Sequence, residues 1–537
     1  MMKKNRHPLI KSALILTAAG LISRIIGFYY KIFLASMIGA EGIGIYQMIF
    51  PLYVLCVSLS SSGIQTAVSR FTAEYLSTGH PQKARALFRT GLLMSLAVSG
   101  LLALLLHTFS VPVGLYFLKE ERCIPLLRLI AFAIPFEAIH TCASGYFLGQ
   151  QKPGVPAISQ LLEQTVRVGS TFLLYQLLLE QGLTPSPLLA AAGLLAGEAA
   201  AAMIVLTRLA LQTQPKKDVS GNNHKKRKNL RGIPENQLRT GEVHKQSLQF
   251  QNLTAICKVA APINLNRLLL NLLHSGEAAM IPIRLQQYYK NTGHALAAYG
   301  IFTGMAMPLI MFPCAITSSL SMVLLPSISE ACAVNDTKKI TATVESTMLL
   351  CLSLGITFTA AFLEFGPSMG ALLYQNDRVG SYLTTLAWIC PFLYLTATNN
   401  GILLGLGKTK AVFLHSLTGQ LIHLGSSYFL IPLLGMQGCL IGLLISQLTT
   451  ALLGMRILQK EVSFTFHAVS WILKPAGCCI LALLLLKLLQ HLFPILSLEH
   501  RWSSFLLSGS IWGLAVLTLH LLFLKKAARH QHSSLPE

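Results

Sequence analysis

Ionisable side chains stand inside several long apolar stretches of this 537-residue chain. Glu137 and His140 are three residues apart, and Glu163 and Arg167 are four apart, so each pair shares one face of a predicted helix. This spacing suits ion pairs within a helix, and for Glu137 and His140 it also suits proton handling. Glu198 lies in a later stretch. We therefore predict that Glu137, His140, Glu163 and Glu198 take part in proton or cation coupling.

Cations form a second set. Arg24 and Lys31 are two helical turns apart on one face, and Arg267 and His274 share a face in a later stretch, with Glu277 close to it. Guanidinium and ammonium groups among apolar residues favour an anionic headgroup, and phosphate fits them best. The pattern predicts that Arg24, Lys31 and Arg267 bind such a headgroup. Glu277 is a fifth candidate for coupling.

The elements that position these groups are long apolar helices. Hydrophobic residues make up 53% of the chain and charged residues 12%, and the mean hydropathy is +0.58. Such a composition excludes a soluble enzyme, a disordered chain and a small disulfide scaffold. A membrane-spanning helix needs about 20 apolar residues. We predict an all-α polytopic membrane protein of about fourteen spanning helices, at residues 9–35, 43–67, 88–111, 126–149, 157–180, 188–211, 254–281, 297–324, 340–363, 381–404, 411–432, 437–457, 468–490 and 503–524.

Lys and Arg in the connections predict the topology. With the N-terminus inside, about 27 basic residues fall in inside segments and about six in outside segments. Reversing the orientation or removing one helix removes this excess of basic residues in the inside segments. Both termini are thus expected in the cytoplasm, and most of the +22 net charge reflects topology.

The basic segment 212–252 divides the chain. We predict an N-terminal lobe at 1–211, a cytoplasmic linker at 212–252, a C-terminal lobe at 253–460, and two further helices with a tail at 461–537. The linker is interpreted as a disordered loop near anionic lipid headgroups, or else as a docking site for a protein partner. Nucleic-acid binding is not expected, because no aromatic residues interleave its charges.

The two lobes repeat each other. Residues 127–170 shifted by 256 positions fall on 383–426, so that Pro135 meets Pro391 and Lys152 meets Lys408. With a one-residue gap, Arg24 falls on Arg267. Six helices is an even number, so both copies have the same orientation, and the repeat is parallel, as in two-lobed transporters.

Motifs for catalysis are not expected in this chain. The stretch 401–409 ends in Gly-Lys-Thr, but Ile402 stands where a phosphate-binding loop needs glycine, and no strand precedes it. The three aspartates, Asp218, Asp336 and Asp377, form no Asp-x-Asp metal motif. The eleven cysteines are scattered and lack a Cys-x-x-Cys pair. The sequence predicts no cofactor, no metal site and no enzymatic activity.

Several motifs together resemble a known family. They are SRIIGF at 23–28 followed by Lys31, GAEGIGIY at 39–46, YGIFTGMAMP at 299–308, and LPSISE at 325–330. These resemble the stage V sporulation B proteins, in the polysaccharide-exporter branch of the multidrug/oligosaccharidyl-lipid/polysaccharide (MOP) superfamily, which includes the lipid II flippases. The likeness covers about residues 9–525.

The resemblance implies a V-shaped pair of six-helix lobes and two extra helices. It also implies flipping of undecaprenyl-pyrophosphate-linked saccharides, for peptidoglycan, polysaccharide or spore cortex, by alternating access. Arg24 matches a family arginine that meets the pyrophosphate, and Arg267 is expected to match the arginine of the second lobe. Lys31 stands where an arginine is usual. Expected partners are the lipid-linked saccharide, membrane lipids and proteins of cell-wall synthesis. The alternatives are a multidrug/cation antiporter of the same superfamily and a scaffold for cell-wall or spore assembly that does not transport.

Overall fold

A computed structural model describes residues 6–213, 235–493 and 502–532. Within these ranges the chain is helical apart from short turns, and no strand occurs in them. The apolar composition requires this, because a helix satisfies all its backbone hydrogen bonds within itself. The helices of the described residues are α1 Arg6–Val57, α2 Gly63–Ser77, α3 Pro81–Thr108, α4 Ser110–Pro112, α5 Cys123–Ala131, α6 Ala133–Gly149, α7 Gly154–Glu180, α8 Leu188–Thr213, α9 Glu235–Tyr289, α10 Thr292–Gly300, α11 Met307–Ala333, α12 Thr337–Tyr374, α13 Asp377–Leu386, α14 Cys390–Gly405, α15 Thr409–Leu434, α16 Met436–Glu461, α17 Lys474–Leu492 and α18 Trp502–His532.

Eleven helical stretches of the described residues are long and apolar enough to cross a membrane. One of them, Ala18–Ser77, is 60 residues long and contains the predicted span 43–67 and residues 18–35 of the predicted span 9–35. The predicted spans at 157–180 and 254–281 lie in the helices α7 and α9, outside these eleven stretches. All fourteen predicted stretches thus fall in helices, while the count of fourteen membrane crossings stays a prediction.

The long helix α1 is interrupted at Gly39. Its backbone there has φ 68° and ψ 177°, a conformation that favours glycine because other residues have a Cβ that clashes. The interruption lies between the predicted spans at 9–35 and 43–67, as the sequence indicated. The helix α9 differs from prediction, because it already begins at Glu235, inside the segment interpreted as a disordered linker. Residues 214–234 of that segment lie outside the described residues.

A wide π-helical turn at Ser58–Ser62 joins α1 to α2. Asn264 of α9 accepts a hydrogen bond from the amide of Gly63 at 2.9 Å and donates one to the carbonyl of Leu59 at 3.1 Å. A π turn disturbs the regular hydrogen-bond ladder of a helix. The amide side chain of Asn264 satisfies groups that would otherwise be buried without a partner.

The chain divides into two compact units. Unit 1 consists of Met1–Tyr30 and Met48–Ala279, and unit 2 of Lys31–Gln47 and Met280–Glu537. The segment 31–47 packs in unit 2 because Gly44 lies directly against the backbone of α10: a Cβ at Gly44 would fall within 2.9 Å of the carbonyl carbon of Leu296. The predicted lobe boundaries stay a prediction.

An apolar core of unit 1 lies where α2, α3, α6, α8 and α9 meet. Its fully buried members include Val68, Leu87, Phe147, Val205 and Ile256. Burial of side chains of this size removes the largest apolar areas from water or lipid headgroups and fixes the helices against each other.

Two apolar cores lie among the described residues of unit 2. One lies between α11, α12, α14 and α16, around Val344, Met348 and Leu403. The other joins α17 and α18 to α12 through Leu486, Trp512 and Phe365. The two helices predicted beyond the C-terminal lobe therefore pack on unit 2.

The repeat predicted from sequence is visible in matching turns of the two units. Gln151 after α6 has φ 58°, and Gly407 after α14 has φ 76°. The following amides, of Lys152 and Lys408, each donate to the carbonyl five residues earlier, at 3.0 Å and 2.8 Å. This is the hydrogen-bond pattern that closes many helix ends. The two turns are 256 positions apart, the shift found in the sequence.

Candidate functional site

A cluster of charged side chains lies inside unit 1. Its first two members, Glu137 and His140, are on α6, where the three-residue spacing brings His140 Nδ1 to 3.5 Å from Glu137 Oε2. Thr141 donates a hydrogen bond of 2.6 Å to the other oxygen of Glu137. The other ring nitrogen of His140 lies 3.0 Å from the hydroxyl of Ser159 on α7. The imidazole is thus held between two helices.

Helix α7 contributes Ser159, Glu163 and Arg167, four residues apart and therefore on one face. Arg167 Nη2 donates to Glu163 Oε1 at 2.6 Å, and Glu163 also accepts from Gln164 at 3.1 Å. The contact from Arg167 is charge-assisted and short. The predicted in-helix pair of Glu163 and Arg167 is formed.

Helix α8 adds Glu198, and only 3% of the surface of this residue is exposed. Glu198 Oε1 accepts from Arg167 at 2.9 Å, and Glu198 Oε2 lies 3.9 Å from His140 Nδ1. The adjacent Gly197 permits this approach, because a Cβ there would lie 2.8 Å from the carbonyl of Glu163. Glycine allows helices to pack closely in apolar surroundings. Glu198 therefore connects the pair on α6 to the pair on α7.

The charges of this cluster do not balance by themselves. Three carboxylates, Glu137, Glu163 and Glu198, face one guanidinium and one imidazole. Oxygens of Glu137 and Glu198 and a nitrogen of His140 all lie within 4.8 Å of one another. In a medium of low dielectric, two carboxylates this close are not both ionised without a compensating positive charge. A protonated His140 and one proton shared by Glu137 and Glu198 would make the cluster neutral.

A metal ion is the other means of compensation. Glu137, His140 and Glu198 offer two oxygens and one nitrogen at a spacing that a cation could bridge. This donor set suits a transition metal better than it suits Na⁺ or Mg²⁺, which prefer oxygen ligands. His140 Nδ1 and Glu198 Oε2 are buried and have no hydrogen-bond partner in the described residues. Both a shared proton and a metal ion would satisfy these two atoms.

Helix α1 borders α7 beside the cluster. The hydroxyl of Tyr30 lies 3.2 Å from that of Thr171, and a Cβ at Gly27 would lie 3.7 Å from Gln164 Oε1. Further along α1, the hydroxyl of Tyr53 is buried and has no hydrogen-bond partner among the residues that the structure describes. Tyr53 interacts electrostatically with Glu198, Glu137, Arg167 and Glu163. Gly27 of the SRIIGF motif thus lies against Gln164, which donates a hydrogen bond to Glu163.

The structure brings together four of the five predicted coupling residues, namely Glu137, His140, Glu163 and Glu198. The fifth, Glu277 on α9, lies 3.6 Å from Nδ1 of His274 on the same helix. Their proposed role in coupling stays a prediction.

The predicted headgroup cations lie on two helices. Arg24 on α1 and Arg267 on α9 are exposed side chains of unit 1, and Lys31 on α1 is a half-buried residue of unit 2. Exposure leaves these side chains accessible to a ligand. Their role as a headgroup site stays a prediction.

Two members of the site were not predicted. Ser159 and Tyr53 carry no charge and stand among apolar residues, so composition gives no signal for either. Ser159 precedes Glu163 by four residues, and this spacing alone could have placed it on the same face.

Unit 2 holds a polar layer of a different kind. By the repeat, Glu137, His140 and Glu163 correspond to Leu393, Thr396 and Gly419. Nearby on the same helices, Asn399 and His415 are buried, and their side chains have no hydrogen-bond partner in the described residues. Neither residue is a carboxylate, so at these positions of the described residues unit 2 does not repeat the charged cluster of unit 1.

Comparison with known proteins agrees with this architecture. Residues 9–332 match the family described as polysaccharide biosynthesis protein, and residues 288–429 match the family described as MatE. Stage V sporulation protein B of Bacillus subtilis is 28% identical over 85% of this chain and 84% of its own. The lipid II flippase MurJ of Bacillus subtilis is 24% identical, again over 85% of this chain and 84% of its own.

A solved structure shares the fold. The lipid II flippase MurJ in an inward closed conformation superposes with a TM-score of 0.65, at 13% identity, over 96% of this chain and 100% of that one. At this identity the similarity concerns the fold alone. The predicted fold class, an all-α membrane protein of the lipid II flippase type, is confirmed.

Proposed function

The chain belongs to the polysaccharide biosynthesis protein family, and on that premise we propose that it is a membrane flippase for undecaprenyl-pyrophosphate-linked saccharides. Two observations support the proposal: the extended similarity to stage V sporulation protein B and to a lipid II flippase, and the many apolar helices of the chain. The saccharide belongs to the class of peptidoglycan or polysaccharide precursors. The membrane is the bacterial cytoplasmic membrane, with both termini in the cytoplasm.

The headgroup is proposed to contact Arg24, Lys31 and Arg267. A pyrophosphate that leaves water must exchange its hydration for hydrogen bonds from protein cations, or the transfer costs several kcal/mol for each charge. Arginine offers two parallel donors that fit a phosphate oxygen pair, and lysine offers a compact charge. The isoprenoid tail can remain in the bilayer while the head crosses by alternating access of the two lobes.

The buried charged cluster is the observation that supports ion-coupled transport. Glu137, His140, Glu163, Arg167 and Glu198 lie in apolar helices, where ionisable groups are costly and usually have a function. The cluster needs an added positive charge for neutrality, so its occupancy depends on protons or cations on the two sides of the membrane. We propose proton or cation exchange at this cluster as the coupling step.

A path from the cluster to the proposed headgroup site runs along α7 and α1. Gln164 donates to Glu163 at 3.1 Å and lies against Gly27 of α1. Arg24 precedes Gly27 by three residues on the same helix. A change of charge at Glu163 would change the partner that Gln164 holds, and with it the position of the α1 segment that bears Arg24.

The second candidate is a cation antiporter, which the MatE match over residues 288–429 favours. The two functions need opposite binding charges: cations for a pyrophosphate, and carboxylates for an organic cation. Binding of an undecaprenyl-pyrophosphate disaccharide and of tetraphenylphosphonium to the purified protein in nanodiscs distinguishes them. We expect saturable binding of the first that Arg24→Ala weakens about tenfold or more, as for a lost charge-assisted contact.

The matched control is Arg378→Ala, at an exposed arginine near the start of α13. It should bind as wild type does. Saturable binding of tetraphenylphosphonium without binding of the pyrophosphate lipid would replace the flippase by the antiporter. Binding of neither would leave a scaffold as the better account.

A further inference from the structure

A cavity of about 470 Å³ lies at one end of unit 1. It is bounded by the end of α2, the beginning of α3, the turn between α6 and α7, and the end of α8. Its lining residues are Leu76, Pro81, Arg85, Phe88, Arg89, Tyr146, Gln150, Lys152, Leu209, Ala210 and Gln212. The cavity shares no residue with the charged cluster or with Arg24, Lys31 and Arg267. Its size is in the range of small-molecule sites.

Three cations and no carboxylate line the cavity. Arg85 and Arg89 are four residues apart on α3 and so point to the same side of that helix, and Lys152 follows the turn after α6. All three side chains are exposed. Among the residues that the structure describes, none of the three forms an ion pair with a carboxylate. Three like charges at one cavity repel each other unless an anion is present.

The repeat shows that this charge is not a general property of such helix ends. In unit 2, the positions that match Arg85 and Arg89 hold Thr341 and Glu345. The match of Lys152 is Lys408, whose Nζ lies 2.7 Å from Glu461 Oε1 at the end of α16.

Helix α8 has no acidic residue near its end that could form such an ion pair with Lys152. Its last ten residues, 204–213, contain no Asp or Glu. The two copies have the same backbone turn and opposite charge balance. The positive charge in unit 1 is therefore specific to that copy.

The walls of the cavity are partly apolar and rigid. Phe88 and Tyr146 stack with their ring centroids 4.5 Å apart, and both are buried in the core of unit 1. Leu76 and Leu209 complete the apolar part, and the amides of Gln150 and Gln212 offer further donors. A preformed cavity with apolar walls and a few converging polar groups is typical of a ligand site.

We propose that this cavity binds a phosphate-bearing anion, held by Arg85, Arg89 and Lys152. Guanidinium groups bind phosphate through paired donors, and a lysine adds a compact charge. In the predicted topology the cavity faces the cytoplasm, where anionic phospholipids of the inner leaflet and soluble phosphate compounds are both within reach. The site is separate from the proposed transport route, and the proposal does not depend on the flippase function.

The test is isothermal titration of the purified full-length chain, freed of lipid phosphorus in a neutral detergent. Three probes are used: dihexanoyl phosphatidylglycerol, inorganic phosphate and the zwitterionic dihexanoyl phosphatidylcholine. We expect saturable binding of at least one of the first two, at least about tenfold tighter than of phosphatidylcholine. Binding of phosphatidylglycerol alone assigns the site to a lipid headgroup, and binding of inorganic phosphate assigns it to a soluble ligand.

Variants locate the site. Arg85→Gln combined with Arg89→Gln, and separately Lys152→Gln, should each weaken the binding about tenfold or more. The matched control is Lys83→Gln, an exposed lysine on α3 that does not line the cavity, which should bind as wild type does. These are exposed side chains, so folding should persist, and circular dichroism checks it.

The proposal is overturned if wild type binds neither anion. It is also overturned if phosphatidylcholine binds equally well, or if the cavity variants bind as tightly as Lys83→Gln.

Discussion

Arg167 Nη2 lies 2.9 Å from Glu198 Oε1, and this contact joins α7 to α8 inside an apolar helix bundle. The same nitrogen lies 2.6 Å from Glu163. One guanidinium group therefore compensates two buried carboxylates from different helices. The neutrality of the whole cluster depends on this guanidinium group.

Loss of this guanidinium should destabilise the protein strongly. Arg167→Gln leaves Glu163 and Glu198 buried without their cation, and removing one partner of a buried pair costs about 3–5 kcal/mol. The expected result is a lower thermal midpoint in detergent and a lower yield. Adding Glu198→Gln to the same chain should recover part of the loss, because it removes one unpaired charge. A thermal midpoint of Arg167→Gln equal to that of wild type would show that the contacts of Arg167 with Glu163 and Glu198 do not stabilise the fold.

The close packing of α8 on α7 should be sensitive to one methyl group. A Cβ at Gly197 would lie 2.8 Å from the carbonyl of Glu163, so Gly197→Ala should force the helices apart at a cost of about 1–3 kcal/mol. Gly169→Ala on α7 is the matched control, since a Cβ there meets nothing within 4 Å. The control should be neutral or slightly stabilising. Equal thermal midpoints for the two variants would contradict the packing argument.

The π turn at Ser58–Ser62 should depend on the side chain of Asn264. Asn264→Ala leaves the amide of Gly63 without its acceptor, and an unsatisfied buried donor costs about 1–3 kcal/mol. Asn264→Asp keeps an acceptor for Gly63, and in its protonated form, which partial burial favours, it can still donate to Leu59, so it should be the milder change. The free energies of unfolding in denaturant compare the two. A smaller loss in Asn264→Ala than in Asn264→Asp would be inconsistent with the clamp.

Coupling should be lost when the cluster can no longer bind its proton or cation. His140 faces Glu137 on its own helix, Ser159 on α7 and Glu198 on α8. Because Glu137→Gln removes one negative charge, the cluster needs one proton fewer. In proteoliposomes, a pH or Na⁺ gradient should accelerate flipping by wild type and leave the rate of Glu137→Gln unchanged.

Glu137→Asp is the control for that measurement, since it keeps the carboxylate and should retain at least part of the acceleration. Separate pH and Na⁺ gradients show which ion acts. Acceleration of Glu137→Gln equal to that of wild type would remove the cluster from the coupling step.

The fold was largely predictable because its signals are local. Apolar stretches of about 20 residues predict helices, and Gly39 falls between two of them. The pair of Glu163 and Arg167 follows from helical spacing alone. The shared turn at Lys152 and Lys408 follows from the internal repeat.

The assembly of the site was not predictable, since it depends on packing between helices. Glu198 is 31 positions from Arg167 and has no spacing that points to it. In an apolar bundle most faces of a helix are hydrophobic, so periodicity does not tell which face meets a neighbour. The helical start of α9 at Glu235 was missed for a related reason, because its polar composition resembles that of a loop.

The flipping rate of the arginine variants tests the central claim most directly. A leaflet-accessibility assay in proteoliposomes measures how fast an undecaprenyl-pyrophosphate disaccharide reaches the opposite leaflet. We predict that Arg24→Ala and Arg267→Ala each slow flipping about tenfold or more, while Arg378→Ala flips as wild type does. Wild-type rates in both Arg24→Ala and Arg267→Ala would contradict the account.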